Sequence, residues 1–198
     1  MKVLIDNGHG ENTPGKCSPD RTLREYQWTR EVAQRIVSEL KVRGFDADLL
    51  TPEIQDVSLR ERVRRVNYWT SKLGSNNVLC VSVHINAAGC DGKWHEAQGW
   101  SVFISSNASI KSKSLCNLLW SEASKTRRKL RRPMPGQNFW VKSLAMTRDT
   151  KCPSVLTENF FQDNREDCDW LKSEEGKSTC VRLHVEAIHN YIEQNENS

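Results

Sequence analysis

The sequence predicts a single α/β domain in which a mostly parallel sheet carries helices on both faces. Three observations carry that expectation. Short apolar runs bounded by turn residues alternate with longer segments of helical period, the order that gives strands joined by crossover helices. One run, Val78–Ile85 (VLCVSVHI), is almost continuously apolar and rich in β-branched residues, as a strand covered on both faces requires. His9, His84 and Glu158 each stand at the end of such a run. In an open α/β sheet that edge is where ligands bind.

In chain order, Val3-Leu4-Ile5 is the first strand. It stops at Asp6-Asn7-Gly8-His9-Gly10, where the glycines supply turn chemistry and leave His9 just past the strand end. After a polar loop, Leu23 to Leu40 has a helical period, with Trp28, Val32, Ile36 and Leu40 on one face and Glu25 in the first turn. Phe45 to Leu50 is the second strand. Ser58-Leu59-Arg60-Glu61 is a capping box. The helix it opens runs to Gly74, with Leu59, Val63, Val66 and Leu73 inward and Arg60, Arg62, Arg64 and Arg65 mostly outward. Val78–Ile85 follows, ending on His84 before Asn86-Ala87-Ala88-Gly89. An imidazole in so apolar a strand needs a partner, because an unpaired buried polar group is costly. A metal or a buried hydrogen bond would serve.

Gly99 to Ser105 is a further strand, and Ser109 to Ser124 a helix with Leu115, Leu118, Leu119 and Ala123 toward the core. The run Lys125–Arg132 (KTRRKLRR) has no aromatic residue among its charges and reads as a solvated helix end and loop. A contact with an anionic polymer is the sharper alternative. Without aromatic partners the run does not suggest a nucleic-acid platform. Leu144–Arg148 and Ser154–Phe161 (SVLTENFF) read as the last strands, with Glu158 at the end of the second apolar stretch. Asp163–Lys172 reads as a short helix. Thr179–Gln194 is the last helix, on which His184 and His189 are surface or packing residues. With no internal repeat and no linker, residues 1–198 form one domain.

Composition narrows the class. The 198 residues suffice for one ordinary core, and a net charge of +4 permits an anionic partner without demanding one. No stretch is apolar for long enough to span a bilayer. The apolar run after Met1-Lys2 is three residues long and meets Asp6 at once, which is not a signal peptide. A protein of the cytoplasm, one that leaves by a signal-independent route, or one that has lost its leader would all fit. Seven cysteines without a C-x-x-C pair point to reduced thiols, with Cys80 a core residue.

Taken together, IDNGHG, then Glu25 at a helix start, then SVHINAAG, then SVLTENFF resemble the zinc-dependent N-acetylmuramoyl-L-alanine amidase domain, from the first strand to the last helix. The resemblance implies a twisted, mixed six-stranded sheet. It implies Zn²⁺ held by His9, Glu25 and His84, and Glu158 as the catalytic glutamate. It also implies peptidoglycan or muropeptides as substrate, cut between N-acetylmuramic acid and L-alanine. The family usually reads close to HNNA where this chain has HINAAG, which touches substrate preference rather than the ligand. The chemistry is coherent in itself. Three protein ligands leave zinc a position for water, and a free carboxylate can carry the proton. A phage-type lysin or a mobile-element product, acting as a monomer, fits this reading. Three alternatives stand beside it: another zinc hydrolase such as a carboxypeptidase-like enzyme, a non-catalytic peptidoglycan-binding module, and a cysteine hydrolase using Cys17.

Overall fold

Lys2–Asn7 forms β1, all six residues buried. A computed structural model describes residues 1–196 of the chain; Asn197 and Ser198, the end of the expected domain, lie outside the described residues. The helix after β1 is α1 (Glu25–Val42), followed by β2 (Asp46–Leu49) and α2 (Leu59–Leu73). Then come β3 (Val78–Asn86), β4 (Ser101–Ile104), α3 (Ile110–Ser124), β5 (Trp140–Val141) and α4 (Ala145–Arg148). The chain closes with β6 (Ser154–Phe161), α5 (Arg165–Lys172) and α6 (Glu174–Glu196). The six strands make one sheet in the order β2-β1-β3-β6-β4-β5. β2, β1, β3 and β6 run parallel, β4 runs antiparallel to β6, and β5 is parallel to β4. The fold class, the mixed sheet and its six strands are as expected.

Alternation along the strands divides the core in two. Val3, Ile5, Leu79, Val81 and Val83 face a large cluster built with Trp28, Val32, Ile36 and Leu40 of α1, Leu115 and Leu119 of α3, and Val185 and Ile188 of α6. Leu4, Val78 and Cys80 face the other way, onto Val66 of α2 and Met146 of α4. Helices therefore cover both faces. Five of the seven cysteines, Cys80 among them, are buried.

Two expectations fail and a third holds only in part. Leu144–Arg148 is not a strand: residues 145–148 form the helical turn α4, with Met146 and Thr147 buried, and the edge strand is β5, paired with Phe103 and Ile104. An apolar stretch this short fits either period. The inward face of α2 is Arg62, Val66 and Thr70, whereas Leu59 is 58% and Leu73 40% exposed. Arg62 is drawn inward by Asp6 of the buried strand β1, its ion-pair partner at 2.6 Å. The basic run is a solvated helix end only in part: Lys125, Arg127, Lys129 and Arg132 are exposed, yet three of its arginines lie against aromatic rings. Arg128 packs on Trp170 and Phe160, Arg131 on Phe161 and Trp140, and Arg132 on Trp120. The aromatic partners come from distant segments, so the run alone does not reveal them. The Ser58 cap holds, its side chain accepting from Glu61 N. Among the described residues no helix is long and apolar enough to cross a membrane.

Candidate metal centre and active site

The parallel set β1, β3 and β6 delivers its carboxyl ends to one edge of the sheet, and Glu25 at the start of α1 reaches the same edge. After β1 the chain turns through Gly8, whose N–H donates to Val83 O at 3.0 Å. A Cβ at this position would lie 2.4 Å from His84 Nδ1, so only glycine lets the turn pass the imidazole. His9 follows with φ +60°, a left-handed conformation that a side chain other than glycine adopts at a cost of about 1 kcal/mol or more. Its carbonyl is held there by Arg30 Nη1 at 3.0 Å and Arg62 Nη2 at 3.2 Å.

Arg62 is the hub beneath this turn. Its Nη1 donates to Asp6 Oδ1 at 2.6 Å and Asn7 O at 2.7 Å, and its Nε to Val57 O at 2.8 Å. Asp6 Oδ2 accepts from Ser82 Oγ at 2.5 Å, which ties β1 to β3.

Glu25 is fully buried. Its Oε1 accepts from Ile85 N at 3.0 Å, and lies 3.1 Å from His84 Nδ1 and 3.5 Å from His9 Nε2. The donor atoms of the three residues lie within 4.8 Å of one another. Donors on a tetrahedral zinc stand roughly 3.3 Å apart, from zinc–nitrogen and zinc–oxygen lengths of about 2.0–2.1 Å. Glu25 Oε2 is buried with no hydrogen-bond partner. A buried carboxylate oxygen without a donor asks for a cation. By spacing, donor type and this orphaned atom, the three residues fit a zinc-type ion.

The protonation states agree. Burial brings His9 down to about 4, outweighing the pull of Glu25, so this imidazole is neutral at pH 7. For Glu25, burial works against the charge, but the hydrogen bond and charge of His84 prevail and hold its pKa down. Burial also opposes a charge on His84, and Glu25 outweighs it, so the His84 pKa is raised. Without metal, Glu25 and His84 each favour the charged form of the other, and an incoming dication competes with that proton.

Glu158 is the register partner of His84 on one side and of Ser101 on the other. Residues paired this way share a sheet face, so Glu158 stands beside the cluster. Its Oε2 is buried and unpartnered too. Burial raises its pKa to about 7; the negative Glu25 adds to the rise, while His84, Lys16 and Lys142 oppose it. Just beyond Glu158 the register slips by one residue against β3, and Phe160 takes φ +64°. This bulge packs Phe160 on Trp170 and leaves Asn159 to bridge His84 O and Trp100 Nε1, at 2.9 and 3.0 Å.

All four residues expected at the site are thus together. The other histidines lie elsewhere: His184 is buried between Thr157 Oγ1 and Cys180 O, and His95 pairs with Asp91. Cys17 is not in the cluster. Sequence reasoning missed Arg62, Asp6, Asn159 and Lys16. A charged residue inside the apolar β1, and an arginine four residues before buried Val66, were the available signals for the first two. A larger cavity of about 580 Å³ between β2, α1 and α2 contains none of the site residues.

The family model for N-acetylmuramoyl-L-alanine amidase matches residues 3–190. The chain belongs to this family. The N-acetylmuramoyl-L-alanine amidase CwlM of Bacillus licheniformis is 26% identical over 200 residues, covering all of this chain and 71% of that protein. The endolysin of Bacillus phage SPP1 is 29% identical over 189 residues, 94% of this chain and 64% of its own length. The catalytic domain of the amidase CwlV from Paenibacillus polymyxa superposes with a TM-score of 0.81 at 22% identity, covering 98% of each chain. An amidase of Clostridium difficile 630 gives 0.83 at 20% identity, covering 98% of this chain and 97% of that one. At such identities the structural likeness speaks for the fold; the family rests on the sequence match.

Proposed function

We propose that the protein is a zinc-dependent N-acetylmuramoyl-L-alanine amidase that hydrolyses the amide between the lactyl group of N-acetylmuramic acid and L-alanine in peptidoglycan. The observation that carries this is the pairing of two orphaned carboxylate oxygens: Glu25 Oε2 inside a His-Glu-His cluster, and Glu158 Oε2 beside it. His9, Glu25 and His84 would hold the ion, Glu25 being fixed by Ile85 N and His9 by the Arg62 hub. The chemistry such an ion supplies when bound is Lewis-acid activation of water and of the amide carbonyl.

The protein's own part is proton transfer and orientation. Glu158 Oε2, free of any donor, can accept the proton of the attacking water and hand it to the departing amine nitrogen. A pKa raised by burial suits both halves of that task. Asn159 fixes the β3 backbone at His84 and so the angle at which the imidazole is presented. One chain supplies every group, so a monomer suffices. The family and the endolysin relative support action on the cell wall.

The test is purified peptidoglycan with product identification by mass. Free L-alanine amino termini and peptide-free glycan strands are expected. Reducing sugar ends would mean a glycosidase, and single amino acids released from peptides a carboxypeptidase; either overturns the reading.

A further inference from the structure

On the side of the antiparallel strands, a cavity of about 290 Å³ opens at the same sheet edge, reached by Asn86 at the end of β3 and by Phe161, three residues after Glu158. Its walls include Phe103, Trp140 and Phe161, and two cations, Arg131 and Lys142, face it. Arg131 lies 4.9 Å from the Phe161 ring centre and 5.7 Å from that of Trp140; Lys142 Nζ lies 5.3 Å from that of Phe103. Among the described residues neither cation has a carboxylate within ion-pair distance. That sets them apart from Arg128, which ends on Glu166 and Asp167, and from Arg62 on Asp6. Aromatic faces orient the two charges without neutralising them. Two oriented, unpaired cations in one small concavity make a receptor for a carboxylate or phosphate.

The place of the cavity selects between those anions. Phe103 shares the sheet face of Glu158, one strand over and two residues from Ser101, its register partner. Strand spacing and rise put the two Cα atoms about 8 Å apart. An extended peptide covers that distance in roughly two residues. The Lys142 charge already acts on Glu158. We propose that this cavity is a subsite for a carboxylate carried by the second residue of the peptide on the amine side of the scissile bond. The proposal rests on the amidase reading and adds a substrate preference to it: peptides with that carboxyl free are taken over those with it amidated.

The test compares two N-acetylmuramoyl-L-alanyl peptides of one sequence, differing only in a free carboxylate or a carboxamide on the second residue. The zinc-loaded enzyme should favour the free acid by roughly tenfold or more in kcat/KM, the scale of a charged hydrogen bond. In Lys142→Gln, and further in Arg131→Gln/Lys142→Gln, that ratio should fall to within about twofold. Lys142 is exposed, so the single variant keeps the test open if the double variant melts early. Equal rates for the wild type, or a preference that persists in the variants, overturn the proposal while the amidase reading stands. Cleavage of neither peptide at the lactyl–alanine bond sinks both. A variant that keeps the preference but loses retention on teichoic-acid-bearing walls would assign the cations to polymer phosphate and overturn the peptide subsite.

Discussion

Replacing Arg62 by methionine tests how the His9 turn is held. The side chain is 2% exposed and keeps much of its volume in methionine, so packing is nearly conserved. What goes is one partner of a buried ion pair at 2.6 Å, together with the donors to Asn7 O, Val57 O and His9 O. Removing one member of a buried pair costs about 3–5 kcal/mol, because the remaining charge is left uncompensated. For a domain of this length each kcal/mol lowers Tm by roughly 2–4 °C, so a fall of about 6–20 °C is expected. Adding Asp6→Asn removes the stranded charge while still accepting from Ser82, and should recover at least about 1 kcal/mol in the double variant. Zinc affinity should drop roughly 10–100-fold, the usual effect of losing a group that orients a ligand. Urea denaturation of the four proteins and chelator competition provide the measurements. Stability of Arg62→Met within 1 kcal/mol of wild type, or a cycle that closes without coupling, would refute the argument.

Glu158→Gln should keep fold and zinc but lose about two to four orders of magnitude in rate. Glu25→Gln should lose zinc instead, with activity partly restored at high zinc; swapped phenotypes in metal analysis would reverse the two roles. In chelated protein the raised pKa of Glu158 gives a signed stability effect. Its folded value of about 7 lies above the ordinary 4.5 of a glutamate, so stability present below pH 4.5 is lost as pH rises through 7, by at most about 3 kcal/mol. Glu158→Gln should therefore be more stable than wild type at pH 8 and equal to it near pH 4.5; the same difference at both pH values would show that charge is not the cause. Zinc binding near pH 6 should release protons, because Glu25 raises the His84 pKa and zinc requires the neutral ring, and a dication beside Glu158 favours its carboxylate form. Calorimetry in two buffers of unlike ionisation enthalpy reads the release, and identical heats would count against it.

The site was legible because its residues carry their own signals. A histidine after an apolar strand and a glutamate at the end of the apolar run within another are visible in one dimension, and the parallel sheet brings such positions together. The edges of the sheet were less legible. β5 has only two residues, and its pairing with β4 cannot be told from a loop by period. Arg62 was misplaced because a sequence of alternating arginines suggests a solvated helix face; the one turned inward is decided by Asp6, which is 56 positions away. The aromatic contacts of the half-exposed Lys125–Arg132 run were hidden for the same reason, its partners being scattered between Trp120 and Trp170.

That run also explains how Glu158 is held. The bulge after it costs energy at Phe160, whose φ is +64°. Arg128 covers the rings of Phe160 and Trp170 and reaches Asp167, and Asp167 Oδ2 in turn accepts from Phe161 N at 3.2 Å and Gly99 N at 2.8 Å. The bulge is thereby clamped to the start of β4 and to α5 at once. Its consequence is parity. The extra residue sends Phe160 onto Trp170 and lets Phe161 line the cavity at this sheet edge. Without the bulge, simple alternation would place Phe160 on the Glu158 face and close the wall around Arg131 differently. The left-handed turn at His9 and the bulge at Phe160 thus flank the site from two parallel strands. Each is fixed by an arginine outside the metal cluster, so the ligands and the proton carrier are held by groups that take no part in the chemistry.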